Sequence, residues 1–388
     1  MREQLRAGVI GLGILGSQHA EHLANHASVR LVAVADIRQA VAKEIAARHQ
    51  AEPYADYRQM LKDHMPDLVV VATPDPLHKE PTLACLDAGV PSVFQEKPLA
   101  TTLADAEAIC EAVERHGARL FVNYANRAAP LDMATRYVMQ RGLLGPVVYG
   151  ESRLDDNISV PTKMWGGRSQ DWAAGSSTVH FLLSHVVDLL RFYFAPVEVT
   201  DVFAISQRQV LGYTPDVYDA FLTMDSGMRV RVKAEWIKHI DELVEFYMCF
   251  SGHEGTLIYN KRGGFGTEPG WRANLPNDVD ADALLAHQEA LLELGANVRA
   301  MFHRPELTAG ALQAGMADRV PSLEFRGLGY GKPMALSDAI IDAIVQDTLE
   351  PTGWEGLGPV PTHLDGLAQT RITDAIIRSA DLGEPVSL

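Results

Sequence analysis

The sequence predicts an α/β protein of two parts, an N-terminal doubly wound parallel sheet and a C-terminal α/β domain on an open, largely antiparallel sheet. Three observations predict it. A glycine-rich turn, Gly11-Leu12-Gly13-Ile14-Leu15-Gly16, sits between a short apolar run and a helical pattern. Apolar runs then alternate with helical segments to about residue 123, the rhythm of parallel sheets. Beyond that point, alternating runs follow one another with only turns between them, which marks antiparallel pairing. The expected domains are residues 1–123 and 124–388.

Leu5 to Ile10 reads as a buried strand, and the helix after it starts near Ile14. Gly11, Gly13 and Gly16 hold the G-x-G-x-x-G positions. The first permits a tight turn, the second lets backbone approach a pyrophosphate, and the third lets the helix pack on the strand. The helix N-terminus turns its amides toward the phosphates. Leu31 to Ala35 is the next strand, and Asp36 ends it, where a carboxylate accepts hydrogen bonds from an adenosine ribose. Strand, glycines, helix, strand and acid in register predict a Rossmann domain that binds NAD. NADP is the alternative, because Arg38 stands two residues on and pairs readily with a phosphate.

Arg38 to His49 continues as an Ala-rich helix. Leu68 to Ala72 is a buried strand, followed by T-P-D-P-L-H at Thr73 to His78 and a helix from Glu80 to Ala88. Ser92 to Gln95 and Leu120 to Asn123 are strands flanking an amphipathic helix, Ala104 to His116. A helix from Leu131 to Gln140 then leads to a strand at Val147 to Leu154 and a long helix at Thr178 to Phe194. Strands are expected at Val197–Gln207, Ala220–Met224, Arg229–Trp236, Glu245–Phe250 and Thr256–Tyr259, with turns such as Asp225-Ser226-Gly227 between them. Gly263 to Pro333 carries little pattern apart from a helix near Asp282 to Leu294. Ala335 to Gln346 and Leu364 to Arg378 are helices, and Thr362 and Asp365 have capping-box spacing before the second.

Composition narrows the function. With 388 residues, 47% hydrophobic and 22% charged, the chain has the make-up of a soluble globular protein of two domains. A formal charge of −16 argues against nucleic acid or an anionic membrane surface as partner. Cys85, Cys110 and Cys249 are widely spaced, which predicts no zinc site and a reducing compartment. A first strand at Leu5 predicts no signal peptide, and the apolar stretch at Val179 to Phe194 is broken by His180, His185, Asp188 and Arg191. The expectation is a cytoplasmic protein with no bound metal.

Glu96-Lys97-Pro98 follows a strand of the nucleotide-binding sheet, at the carboxyl edge where ligands of such sheets lie. A lysine there can bond a substrate hydroxyl and move its proton while a hydride leaves, and a cationic nicotinamide nearby favours its amine form. The alternative is a solvated lysine before a turn.

Five features in order make the chain resemble the Gfo/Idh/MocA family, the glucose–fructose oxidoreductase and inositol dehydrogenase group. They are G-L-G-I-L-G, Asp36, T-P-D-P-L-H, E-K-P at Glu96 to Pro98, and G-L-L-G-P-V at Gly142 to Val147. D-G-L at Asp365 to Leu367 and G-E-P-V at Gly383 to Val386 match its closing pattern. The resemblance implies a catalytic Lys97, a sugar or cyclitol substrate between the domains, and a homodimer or homotetramer formed through the open sheet. It extends the cofactor edge to Ile14, Leu15, Ile37, Arg38, Thr73, Pro74, His78, Glu96 and Asn123. The family's D-x-x-x-H is altered here: His185 keeps the histidine, but Phe181 replaces the Asp. Residues four apart share a helix face, so Phe181 and His185 should look into one space. His185 is then either an acid–base or a core histidine, and Asp188 either orients it or caps a buried polar spot.

Tyr124, Asn126, Arg127, Trp165, Trp172 and His180 are softer candidates for a polyhydroxylated ligand. Arg127 has an interdomain ion pair as its alternative, and either Trp has core packing. The resemblance points to an NAD-dependent oxidoreductase acting on a secondary hydroxyl or ketone of a sugar, glycoside or cyclitol. A redox-assisted glycosidase and a non-catalytic sugar- or dinucleotide-sensing protein are the rival readings.

Overall fold

The structure, a computed structural model, describes residues 4–263, 267–304, 319–329 and 331–388. The chain forms two compact units. One joins Met1–Ala125 with Pro333–Asp374, and the other joins Asn126–Lys332 with Ala375–Leu388. Among the described residues, no helix is long and apolar enough to cross a membrane.

The first unit begins β1 (Leu5–Ile10), α1 (Ile14–Asn25), β2 (Val29–Ala35), α2 (Gln39–His49), β3 (Glu52–Tyr54) and α3 (Tyr57–His64). It continues with β4 (Leu68–Val71), α4 (Lys79–Asp87), β5 (Ser92–Glu96), α5 (Leu103–His116) and β6 (Arg119–Asn123). The six strands are parallel in the order β3-β2-β1-β4-β5-β6. Helices cover both faces of such a sheet, so its strands read as unbroken apolar runs; every residue of β4 and β5 is buried. The register sets Ile10 beside Ala35 and Val71, Val71 beside Gln95, and Glu96 beside Asn123. The carboxyl ends are therefore flush. β1 and β4 form the point where strand order reverses, and ligands of such sheets bind there.

The second unit holds α6 (Pro130–Gln140), β7 (Val147–Asn157), α7 (Ser159–Lys163) and α8 (Ser169–Gly175). A π-helical turn, Val179–Leu183, runs into α9 (Ser184–Phe194), so the expected long helix starts with a wider turn. Then come β8 (Val199–Gln207), β9 (Val217–Met224), β10 (Arg229–Lys238), β11 (Val244–Gly252), β12 (Thr256–Arg262) and β13 (Gly270–Asn274). They are followed by α10 (Ala281–Glu293), β14 (Arg299–His303) and β15 (Val320–Arg326). After α11 (Ala335–Gln346) and α12 (His363–Leu382), β16 (Val386–Ser387) ends the chain. The sheet runs β14-β15-β13-β12-β11-β7-β10-β9-β8-β16. All its neighbours are antiparallel except β7 and β10. Val230, Val232, Ala234 and Trp236 of β10 are fully buried while the residues between them are not, so one face is core. The rings of Tyr193 and Phe194 on α9 pack edge-on against Phe250 of β11. Burying each such side chain contributes about 1.5–3 kcal/mol. The other face leaves Tyr149, Phe203, Ile205, Phe221 and Ile258 exposed.

One expectation needs correcting. Residues 333–374 pack with the first unit, not with everything after residue 124. The Val122 amide donates to the Pro361 carbonyl, Arg119 pairs with Asp347, and Gly366 lies close against Leu99 and Val122. These contacts give β6 a neighbour on the open edge of its sheet. The capping box forms as expected, with the Thr362 amide donating to Asp365 and the Leu364 amide donating to the Thr362 hydroxyl.

Candidate active site

The glycine turn has the geometry its spacing implies. Gly11 has φ +88°, and a Cβ there would lie 2.6 Å from the Ala72 carbonyl oxygen. A Cβ on Gly16 would sit 1.8 Å from the Gly11 oxygen, so α1 packs directly on the turn. At Gly13 a Cβ would meet nothing within 4 Å. The turn is closed where backbone touches backbone and open where a pyrophosphate fits. Beside it Ile14, Leu15 and Ile37 are exposed apolar side chains. Asp36 accepts from the Leu12 amide at 2.8 Å and from the amide and guanidinium of Arg38. Burial raises its pKa, but the bonds from Arg38 and Leu12 outweigh this and hold the carboxyl below its usual range. These residues fit a dinucleotide.

Lys97 follows β5 on the same edge and is buried. The residues around it are tightly tied. His78 places its ring nitrogens 2.7 Å from the Pro98 carbonyl and 2.9 Å from that of Thr73, clamping the Thr73-Pro74 loop to the lysine loop. Burial holds the His78 pKa below the ordinary imidazole value. Glu96 Oε1 meets His19 Nε2 and Asn123 Nδ2, each at 2.8 Å. Burial pushes the Glu96 carboxyl up, yet His19, Asn123 and Lys97 outweigh it and leave it below the usual range. Glu96 and Asn123 thus bond each other at the strand ends. Tyr124 turns into the core of this unit, its hydroxyl donating to Gln369.

Within the second unit a cavity of about 320 Å³ is lined by Asn126, Asp156, Phe181, His185, Lys261 and Arg262, among others. Phe181 and His185 do face one space. Phe181 belongs to an aromatic wall, its ring edge-on to Trp172 at 4.9 Å and tilted against Trp236 at 6.2 Å. Trp236 Nε1 donates to Asp156. The Asn126 amide nitrogen lies 3.2 Å from His185 Nδ1, and Lys261 Nζ donates to the Asn126 oxygen at 2.8 Å. Lys261 also pairs with Asp132, whose other oxygen accepts from the Tyr193 hydroxyl. Burial lowers the Lys261 pKa and raises that of Asp132, while their ion pair opposes both shifts.

The remaining candidates lie elsewhere. Arg127 and Asp188 form a buried ion pair with three hydrogen bonds, so the Asp188 carboxylate holds Arg127 in the same unit. Arg127, Trp165 and His180 are not among the residues lining the cavity. Trp165 packs edge-on to Trp172, and His180 bonds the Ser177 hydroxyl. Sequence reasoning missed Lys261, Asp132 and Arg262. A signal existed for Lys261: Leu257, Tyr259 and Lys261 share one face of β12, and the first two are buried, so a cation was written onto a core face.

Two family descriptions match the chain: the Gfo/Idh/MocA oxidoreductase family, NAD-binding Rossmann fold, over residues 5–124, and the Gfo/Idh/MocA C-terminal domain over residues 133–258. An inositol 2-dehydrogenase from Acidothermus cellulolyticus is 33% identical over 57% of this chain and 62% of its own length. The chain therefore matches less than two thirds of that relative. An aldose-aldose oxidoreductase from Caulobacter crescentus, crystallised with glycerol, covers both chains fully at a TM-score of 0.73 and 19% identity. Levoglucosan dehydrogenase in complex with NADH covers 99% of both chains at a TM-score of 0.74 and 22% identity. At these identities the likeness shows the fold alone. The glycine turn, the acid after β2, the lysine after β5 and the two matching domain profiles together place this chain in the Gfo/Idh/MocA oxidoreductase family, with that family's NAD-binding Rossmann domain.

Proposed function

We propose that the protein is an NAD-dependent oxidoreductase that oxidises or reduces a secondary hydroxyl or ketone of a sugar, glycoside or cyclitol. The observation that carries this reading is the carboxyl edge of the first sheet. It places the glycine turn, Asp36, the His78 clamp and the buried Lys97 on strand ends set flush by the register. Gly11, Gly13, Gly16 and Asp36 would hold the dinucleotide, with Ile14, Leu15, Ile37, Arg38, Thr73 and Pro74 along it. The nicotinamide supplies hydride acceptance when bound. Lys97, as the amine, takes the hydroxyl proton during oxidation and returns it during reduction. The glycine turn and the helix N-terminus bind and neutralise phosphate charge.

The second unit holds a polar and aromatic cavity around His185, Phe181, Asn126 and Lys261, a lining suited to a polyol with one apolar face. The inositol 2-dehydrogenase relative supports a cyclitol or sugar substrate. The exposed apolar face of the second sheet supports a homodimer or homotetramer, and three free cysteines support a cytoplasmic setting.

The test is Lys97→Ala assayed for NADH formation against a panel of inositols and aldoses. The variant should bind NAD as the wild type does and turn over at least about 10²-fold more slowly. Near-normal turnover would refute the role of Lys97. Cleavage of a glycoside without net NADH would refute simple dehydrogenation.

A further inference from the structure

We propose that Asn126 and Lys261 are positioning residues that fix the tautomer of His185, so that its neutral ring carries the proton on Nε2 and serves an oxygen of a ligand in the second unit's cavity as a hydrogen-bond donor, not as a base.

Lys261 is ion-paired with Asp132, and its Nζ donates to the Asn126 atom 2.8 Å away, which is therefore the amide oxygen. That fixes which way the amide points, a matter otherwise left open for Asn. The Asn126 NH₂ group then faces His185 Nδ1 at 3.2 Å. An NH₂ can only donate, so Nδ1 accepts and the single proton of the neutral imidazole sits on Nε2. Lys261 is itself anchored by Asp132, which Tyr193 holds in turn. The chain of bonds runs from the body of α6 and β12 to the ring lining the cavity.

Several charges face this ring's cavity: Asp156 on β7, and Lys261 and Arg262 on β12. Position 181, where the family's motif carries Asp, is Phe here and presents no carboxylate to the ring. Asp188, one turn further along the helix, is engaged by Arg127. The Phe181 position and the Asn126 bond are thus two sides of one arrangement. A carboxylate on Nδ1 makes Nε2 a lone pair and the ring a base. An amide NH₂ on Nδ1 makes Nε2 a donor.

This rests on the oxidoreductase reading and assigns its parts. A bound nicotinamide would accept the hydride of the carbinol carbon with its two electrons, and the Lys97 amine would take the hydroxyl proton. His185 neither gains nor loses a proton; its Nε2–H stays a donor throughout.

The experiment is long-range ¹H–¹⁵N correlation NMR of the histidine rings in the intact protein without cofactor. It is run at alkaline pH, where imidazoles are neutral, and the His185 signals are identified by their loss in His185→Gln. The expected result is a pyridine-like Nδ1 and a pyrrole-like Nε2. In Asn126→Asp the new carboxylate should draw the proton to Nδ1 and reverse the pattern. Lys261→Met should give a mixture of tautomers, and Lys261→Arg should restore the single form. In kinetics, Asn126→Asp should raise KM about tenfold, because the donor to the ligand oxygen is lost. A wild-type ring protonated on Nδ1, or an unchanged pattern in Asn126→Asp, would overturn the proposal. Absence of any turnover with the Nε2 tautomer intact would instead remove the oxidoreductase reading.

Discussion

Asp36→Ala should abolish the protein's discrimination between NAD and NADP. In the folded chain the Asp36 carboxylate accepts from two backbone amides at 2.8 Å and from the Arg38 guanidinium at 2.9 Å. Those bonds keep it ionised well into the acid range despite burial. A 2′-phosphate brought within about 4 Å of it meets a repulsion of about 4 kcal/mol per unit charge at an effective dielectric of about 20. Arg38 carries the opposite charge on a side chain 40% exposed, so it offsets only part of this. If half remains, about 2 kcal/mol, NAD binds about 30-fold more tightly than NADP. The Ala variant removes the repulsion and releases the guanidinium, which then pairs with the phosphate. The affinity ratio should fall to about one or invert. Isothermal titration of both cofactors into both proteins measures it. Equal wild-type affinities, or an unchanged ratio in Asp36→Ala, would refute the role given to Asp36.

Three further outcomes follow from the same geometry. Arg127→Met should destabilise the fold by about 3–5 kcal/mol because it strands a buried carboxylate, and adding Asp188→Leu should recover most of the loss in urea denaturation. A large KM change with unchanged stability would instead make Arg127 a substrate ligand. Glu96 has a folded pKa below its usual value, so its stabilisation is present above the unfolded pKa of about 4.3 and fades as pH falls through the folded one. Glu96→Gln should therefore flatten the acid limb of stability below about pH 4, read by thermal melts across pH, and an equally steep limb would contradict this. Light scattering should give two or four times the chain mass of 42.4 kDa; a monomer at micromolar concentration would count against the exposed sheet face as an interface.

What the sequence made legible was local or periodic. The turn at Gly11 to Gly16 could be read because each glycine answers one steric demand made within a few residues, and the structure repeats those demands as contacts at 2.6 and 1.8 Å. β4 could be read because a strand covered on both faces has no polar positions to blur it. The return of residues 333–374 to the first unit could not, because it is decided by partners such as Val122 and Leu99, more than two hundred residues away. The π-helical turn at Val179–Leu183 leaves no mark either, since one extra residue in a turn changes hydrogen-bond spacing and not the apolar pattern.

The site shows the same division more sharply. Asn126, Arg127, His185 and Asp188 all stood out in the sequence as polar residues in promising places, but their pairings did not. His185 and Asp188, three apart on one helix, suggested each other as partners. In the fold Asp188 takes Arg127 and His185 takes Asn126, each 59 to 61 residues away. Neighbours on a helix share a face, but a buried carboxylate goes to whichever cation is also being desolvated, and Arg127 is buried to the same degree. Once that pair forms, an amide anchored by Lys261 is what reaches the imidazole. The vacant Asp position is therefore not a gap in a familiar pair. An apolar residue at 181 is consistent with a ring whose inner nitrogen is already served by a donor, and inserting Asp there would set an unpaired carboxylate among Trp172 and Trp236.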